Sequence, residues 1–284
     1  MKYSVFTVCM PEFTVDEAIG KLAAWGYDGV EWRVRNQRPS ADGKPGFWDG
    51  NLCTIMLDEV VDKAESVGKR CRDAGLEVPS LASYLKCDEL ADIERVFVAC
   101  GKMGAPQARV GVPGYDGTVN YRQLFDKAVE DYGEVEKLAR KYGVRAAIEL
   151  HMGNITPSAS AAYRFVSHFE PKHVGVIHDA GNMVIEGFEN YQLGLELLGE
   201  YLAEVHVKNA AWRKGGRGAN GQQLYEPSSA ELREGQVNWA DMMRVLKSVA
   251  YDGWLSLEDF STDQPTEEKL PQVLAYLKGL ETTA

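Results

Sequence analysis

The amino-acid sequence predicts a single-domain (β/α)8 barrel that spans residues 1–284. Short apolar runs alternate with amphipathic helical segments along the whole chain, which is typical of βα units around a parallel sheet. Eight such pairs can be counted, and a length of 284 residues is usual for one barrel of this type. No Pro/Ser-rich linker or low-complexity segment divides the chain, so we expect one domain.

The eight strand candidates are mostly near-continuous apolar runs, as expected for strands that are covered on both faces. They are Tyr3 to Cys9, Gly29 to Val34, Val78 to Tyr84, Gln107 to Val112, Arg145 to His151, Val174 to Asp179, Leu202 to Asn209 and Trp254 to Phe260. The first run ends at Pro11-Glu12, before a secretory apolar segment could form, and is therefore interpreted as a strand.

Helices between the strands are indicated by apolar residues three and four positions apart. One such face carries Val15, Ala18, Ile19 and Leu22. Two connections are long, residues 35–57 after the second strand and residues 210–236 after the seventh. Both follow the C-terminal ends of strands, where barrel enzymes carry their chemistry, and we predict that they are lids.

Composition excludes several classes of partner. The chain has 42 acidic and 31 basic side chains, and a net charge of -11 argues against binding nucleic acid. No segment approaches the roughly 18 to 20 apolar residues that a membrane span requires, so no membrane partner is expected. The five cysteines show no CxxC spacing, which favours neither disulfides nor a thiolate zinc site and predicts a cytoplasmic location.

Four potential metal ligands lie at or near the ends of the last four predicted strands: Glu149, Asp179, His206 and Glu258. A barrel directs the ends of successive strands toward one axial region, so these side chains should converge. Alone, Asp179 would be a helix N-cap, and His206 alone would be a core histidine. Unpaired carboxylates among apolar neighbours, as at Glu149 and Glu258, would be costly. Together the four predict a site for one divalent ion, Mn²⁺, Co²⁺, Mg²⁺ or Zn²⁺.

The order Glu, Asp, His, Glu, with the HVK segment at 206–208 and the GYDGVE segment at 26–31, resembles the xylose isomerase-like TIM-barrel superfamily of sugar isomerases, epimerases and dehydratases. The resemblance covers nearly the whole chain. It implies that the same four residues bind the metal. In ketose 3-epimerases of this superfamily the two metal-bound glutamates exchange the substrate proton, which implies catalytic roles for Glu149 and Glu258. A bound cation would polarise substrate oxygens and ease removal of the adjacent C–H proton.

Three positions depart from or complete the epimerase pattern. Asn182 stands where those epimerases have a histidine, Ile155 stands where they have a glutamate, and Arg213 would supply an arginine near the seventh strand. The leading hypothesis is an isomerase or epimerase of a sugar or polyol derivative, acting through an enediolate. The alternative is a dehydratase of a keto-inositol or keto-sugar. A non-catalytic metal- or sugar-binding barrel and a three-zinc endonuclease are further alternatives, although five histidines are few for the latter. By analogy with such barrels, a homo-oligomer is expected.

Period-two alternation adds inward-facing residues near the strand ends. Expected substrate contacts come from His151, Asn182, Lys208, Arg213, Glu31 and Trp212. The competing interpretations are a loop residue for His151, a turn residue for Asn182, a solvated lysine for Lys208, an ion pair with Arg33 for Glu31, and ordinary packing for Trp212. Trp32 and Trp48 could join Trp212 in an aromatic wall of the pocket.

The segment Gly216 to Gly221 matches GxGxxG, yet no apolar helix follows it, so we interpret it as a flexible lid segment rather than a dinucleotide site. Arg213, Lys214 and Arg217 on the same connection could attract an anionic, phosphorylated or carboxylated sugar. Solvated charges on a mobile loop are the competing interpretation.

Overall fold

The computed structural model describes residues 1–284 and confirms the closed eight-stranded parallel barrel. Each strand pairs with its neighbour in the chain, and β10 closes the barrel between β7 and β1. The barrel strands are β1 Lys2–Phe6, β2 Gly29–Val34, β3 Ser80–Lys86, β4 Gln107–Gly111, β5 Arg145–Glu149, β6 Val174–Asp179, β7 Leu202–Val207 and β10 Trp254–Leu257.

Helices follow the strands and cover the outside of the barrel. They are α1 Val15–Trp25, α2 Val60–Asp73, α3 Leu90–Met103, α4 Tyr121–Tyr142, α5 Ala159–Val166, α6 Ala180–Ile185, α7 Tyr191–Leu198, α8 Trp239–Ser248 and α9 Thr266–Thr283. The first begins at a capping box between Thr14 and Glu17 and ends at Gly26, whose φ of 82° is readily accessible to glycine. From this end the chain passes through Tyr27 and Asp28 into β2, which begins at Gly29. None of the helices combines the length and apolar character that crossing a membrane requires.

One contiguous apolar core lies between the strands and the helices. Outward-facing strand residues such as Val30, Val176 and Val205 are fully buried in it, together with helix residues such as Phe97 and Phe165. Polar side chains occupy the barrel interior instead. This polar interior is hydrogen-bonded across strands, as Ser256 Oγ to Glu31 Oε2 (2.6 Å) and Gln107 Nε2 to Glu204 Oε2 (2.5 Å) show.

Several strands end earlier than the sequence suggested. The regular pairing stops at Glu149 opposite Ile177 and at Val207 opposite Leu257, so His151, Asn209 and Phe260 lie in the loops that follow. Thr7 to Cys9 form a 3₁₀ turn rather than the end of β1. The third strand runs from Ser80 to Lys86 and thus begins after Pro79, which has no N–H to donate.

The connection 210–236 is a β-hairpin rather than an irregular loop. Its antiparallel strands are β8 Ala210–Arg217 and β9 Gln223–Ser229. Residues 218–222 form the turn, with Gly218 N donating to Gln222 O (2.8 Å) and Gly221 N to Gly218 O (2.9 Å), so the GxGxxG segment covers the end of β8 and this turn. The prediction of a loop was wrong because paired strands with polar, exposed faces carry no apolar alternation that the sequence could display.

Candidate metal centre and active site

Four side chains converge at the C-terminal end of the barrel. Glu149 at the end of β5, Asp179 at the end of β6, His206 in β7 and Glu258 just after β10 each offer a ligand atom, and these atoms lie within 4.8 Å of one another. All four residues are at least nine-tenths buried. Three carboxylates and an imidazole in one buried cluster form a donor set that suits a divalent ion of the kind bound by oxygen and nitrogen.

Asp179 has two roles that the sequence had presented as alternatives. It is the N-cap of α6, where Oδ1 accepts from Asn182 N (2.8 Å). Its other oxygen, Oδ2, lies 3.9 Å from His206 Nδ1 and 3.6 Å from Lys208 Nζ. Burial raises the pKa of Asp179 to about 6, and the negative charges of Glu258 and Glu149 act in the same direction. A cation bound beside it would offset this cost.

His206 directs its two ring nitrogens to opposite sides. Nδ1 lies 3.1 Å from Glu149 Oε1, in the ligand cluster, whereas Nε2 lies 3.2 Å from Glu31 Oε2 on the inner side of the barrel. The ring is also stacked on Phe6 at a centroid distance of 5.8 Å. If Nε2 carries its proton toward Glu31, Nδ1 is the nitrogen that is free to bind a metal.

Two buried cations neutralise part of the cluster's negative charge. Arg109 Nη1 lies 2.6 Å from Glu149 Oε2, and Lys208 Nζ lies 2.6 Å from Glu258 Oε2. Burial opposes ionisation of Glu149, but Arg109 and then His206 outweigh it and hold the pKa of Glu149 well below its usual range. Glu149 therefore faces the cavity as an anion, and its pairing with Arg109 fixes its orientation, as the pairing with Lys208 does for Glu258.

A cavity of about 270 Å³ opens directly above the two glutamates. It is close to the lower limit of about 300 Å³ for small-molecule pockets, which fits a small substrate. Its aromatic, charged and imidazole lining side chains are Trp48, Tyr84, Lys86, Arg109, Glu149, His151, Lys208 and Glu258.

The structure brings together some of the expected substrate contacts. His151 and Lys208 line the cavity, although Nδ1 of His151 contacts Met152 O (2.7 Å) and Lys208 is paired with Glu258. Glu31 and Asn182 are fully buried and lie behind the ligands. Asn182 Nδ2 donates to Asp179 Oδ2 (2.8 Å) and Leu150 O (3.1 Å).

Arg213 and Trp212 lie on the hairpin and do not line the cavity. The indole Nε1 of Trp212 donates to Val184 O (2.8 Å), which fixes the hairpin to the end of α6. Trp32 is buried in the core, so of the three tryptophans only Trp48 lines the cavity. The suggested Glu31–Arg33 ion pair does not form, because Arg33 donates to Gln37, Thr54 and the Trp48 carbonyl instead.

Sequence reasoning missed Arg109, Tyr84 and Lys86, which form the wall of the cavity on the side of β3 and β4. Arg109 lies over the ring of Tyr84 at 4.4 Å. The segment QARVG carried a usable signal, because an arginine within an otherwise apolar barrel strand needs a buried partner.

Comparison with known proteins agrees with this fold. The family described as xylose isomerase-like TIM barrel matches residues 19–280, and the chain belongs to this family. An inosose dehydratase of Halalkalibacterium halodurans is 21% identical over 269 residues, covering 82% of this chain and 86% of that protein. An uncharacterized protein of Methanocaldococcus jannaschii, MJ1311, is 25% identical over 157 residues; this match covers 52% of the chain and about half, 48%, of that protein.

Solved structures share the fold at low sequence identity. The 3-keto-D-glucoside 4-epimerase YcjR from E. coli, in its apo form, is similar at a TM-score of 0.73 and 16% identity, over 98% of this chain and 99% of that one. The IOLI protein with a binding zinc atom is similar at a TM-score of 0.70 and 15% identity, over 100% and 97% of the two chains.

Proposed function

We propose that the protein is a divalent-metal-dependent isomerase or epimerase of a sugar or polyol derivative. The single observation that carries this proposal is the buried convergence of Glu149, Asp179, His206 and Glu258 below a small cavity. Similarity to a keto-glucoside epimerase and membership of a family with sugar-converting relatives support the same class of reaction.

Those four residues would hold the metal, and the donor set suits Mn²⁺, Co²⁺, Mg²⁺ or Zn²⁺. When bound, the ion supplies Lewis-acid polarisation of the substrate's carbonyl and hydroxyl oxygens. The zinc-binding IOLI protein, which has the same fold, supports the proposal that a metal ion is bound.

The side chains of the chain itself would move the proton. Glu149 and Glu258 both line the cavity, so one carboxylate could remove the proton from the substrate carbon and the other could return one. Arg109 keeps Glu149 ionised, as a general base requires. Lys208, 2.6 Å from Glu258, can donate a hydrogen bond to a substrate oxygen that becomes negative.

Dehydration of a keto-inositol or keto-sugar is the second candidate. Asn182, buried and hydrogen-bonded to Asp179, stands where the epimerases have a histidine, and this departure from the epimerase pattern favours the alternative. The inosose dehydratase relative supports this alternative. Loss of a β-hydroxyl would then follow the same first proton abstraction by Glu149 or Glu258.

Location and assembly follow as further parts of the proposal. All five cysteines are free and buried, which supports a reducing, cytoplasmic location. A homo-oligomer is proposed by analogy with barrels of this kind.

The two reactions are distinguished by a ¹H NMR assay in D₂O with Mn²⁺ and a panel of ketoses, keto-glycosides and keto-inositols. Isomerisation or epimerisation introduces deuterium without loss of mass, whereas dehydration removes 18 mass units. Absence of both changes with every compound, in protein that binds Mn²⁺, would contradict an enzymatic function and favour a non-catalytic binding barrel.

A further inference from the structure

Basic side chains gather on one side of the cavity and beside Tyr84, which lines it. Arg33 and Arg35 follow each other in and after β2, and Lys86 ends β3. None of the three has a carboxylate oxygen within ion-pair distance, although the chain has a net charge of -11. We call Arg35, Lys86 and Arg109, together with the ring of Tyr84, the cationic wall; Arg109 is paired with Glu149, so Arg35 and Lys86 carry its unpaired charge.

The cationic wall is crowded. The guanidinium groups of Arg109, Arg33 and Arg35 lie 4.4, 5.3 and 5.2 Å from the centre of the Tyr84 ring. Tyr84, Lys86 and Arg109 line the same cavity as the two glutamates. Positive charges gathered around one ring repel one another, and a bound anion would reduce this repulsion.

The basic residues of this group differ in whether their side chains are free to bind a ligand. Arg33 is fully buried, and its three hydrogen bonds hold the 35–57 connection in place. Burial lowers the pKa of the Arg33 guanidinium, and the neighbouring charges of Arg35 and Arg109 act in the same direction. Arg35 and Lys86 are exposed, and neither side chain donates a hydrogen bond within the protein, so their charges are available to a ligand. Glu89 contacts only the backbone N–H of Lys86.

The metal ligands and the cationic wall lie on different parts of the barrel. The ligands come from β5, β6, β7 and the end of β10, and the cationic wall comes from β2 to β4. We propose that the substrate is an anionic sugar derivative whose carboxylate or phosphate binds the cationic wall while its reacting carbons lie over Glu149 and Glu258. The placement of the reacting carbons over Glu149 and Glu258 rests on the proposed function, whereas binding of the anion to the cationic wall does not. It also replaces Arg213, Lys214 and Arg217 as the anion-binding residues, since these lie on the hairpin away from the cavity.

The test compares matched charged and uncharged probes by calorimetric titration of the full-length protein. The pairs are D-fructose 6-phosphate with D-fructose, and D-glucuronate with D-glucose. We expect the anionic member of at least one pair to bind about tenfold more tightly or better, as one or two charge-assisted hydrogen bonds would provide. The pair with the larger preference shows whether the wall accepts phosphate or carboxylate.

Variants assign the preference to the wall. Arg35→Gln combined with Lys86→Gln should reduce the preference to about threefold or less and leave binding of the uncharged probe unchanged. Arg213→Gln, which removes one arginine outside the cavity, is the control and should change neither the preference for the anionic probe nor the binding of the uncharged probe. Because the side chains of Arg35 and Lys86 are exposed and form no hydrogen bond or ion pair, these variants should keep the thermal stability of the parent protein.

Equal binding of charged and uncharged probes in both pairs, or no binding of either anion, would overturn the proposal. So would a loss of preference in Arg213→Gln as large as in the double variant. The titrations are repeated on metal-free protein, because a phosphate can also contact a metal ion. Preference in the metal-free protein without deuterium exchange in any assay would refute the proposed function and retain the anion site.

Discussion

Nε2 of His206 lies 3.2 Å from Oε2 of Glu31, and the same carboxylate oxygen accepts a 2.6 Å hydrogen bond from Ser256. Both Glu31 and His206 are fully buried. Glu31 thus lies beside the imidazole on the side opposite Glu149, and we infer that it orients the ring for metal binding. A carboxylate in this position selects the tautomer in which Nδ1 can bind a metal.

Glu31→Gln should therefore weaken metal binding by about 10- to 100-fold, the usual effect of removing such a carboxylate partner. Calorimetric titration with Mn²⁺ measures this directly. Glu204→Gln is the matched control, because Glu204 is buried in the same interior but hydrogen-bonds to Gln107 rather than to His206. Equal metal affinity in Glu31→Gln and the parent protein would contradict the orienting role.

Glu149→Gln and Glu258→Gln should each abolish deuterium exchange into the substrate while the fold persists. An amide has nearly the same shape as a carboxylate but cannot act as a base at neutral pH. Circular dichroism and thermal unfolding check that the barrel remains folded. Full activity in either variant would remove that residue from the proton-transfer role.

Arg109→Met should destabilise the metal-free protein by about 3 kcal/mol, because it leaves the buried carboxylate of Glu149 without its partner. Binding of Mn²⁺ should recover part of this loss, since the ion neutralises the same carboxylate. Denaturant unfolding with and without Mn²⁺ measures both values. The same loss in the presence and absence of metal would show that Glu149 does not approach the ion.

His178 predicts a pH dependence of stability. It is fully buried without a hydrogen-bond partner on either ring nitrogen, and burial lowers its pKa from 6.5 to about 4. The unfolded chain therefore takes up this proton first. The stabilising contribution of neutral His178 is present above pH 6.5 and is lost as the pH falls toward 4, by about 3 kcal/mol.

Unfolding free energies of the parent protein and of His178→Phe, measured between pH 7 and pH 4, check this expectation. The variant cannot take up the proton, so its stability should fall less steeply over this range. Parallel curves for the two proteins would show that His178 does not titrate as proposed.

Much of the fold and the convergence of Glu149, Asp179, His206 and Glu258 could be predicted because both depend on local patterns. Apolar runs mark buried strands, and acidic or imidazole groups at the ends of β5 to β7 and β10 stand out from them. The hairpin at 210–229 was missed because its stability comes from pairing between two exposed strands.

Contacts between side chains that are far apart in the sequence were the least predictable part of the site. Arg109 meets Glu149 across the boundary of β4 and β5, and Glu31 meets His206 across the barrel interior. Alternation placed Glu31 and Arg33 on the same side of β2, but it could not show that Arg33 would turn to the 35–57 connection.

The central claim is that Glu149, Asp179, His206 and Glu258 bind a single ion, and calorimetric titration of metal-free protein with Mn²⁺ tests it most directly. We expect one saturable site per chain in the parent protein and at least a tenfold weaker site in each of Glu149→Gln, Asp179→Asn, His206→Gln and Glu258→Gln. No saturable binding in the parent protein, or unchanged affinity in all four variants, would contradict the account.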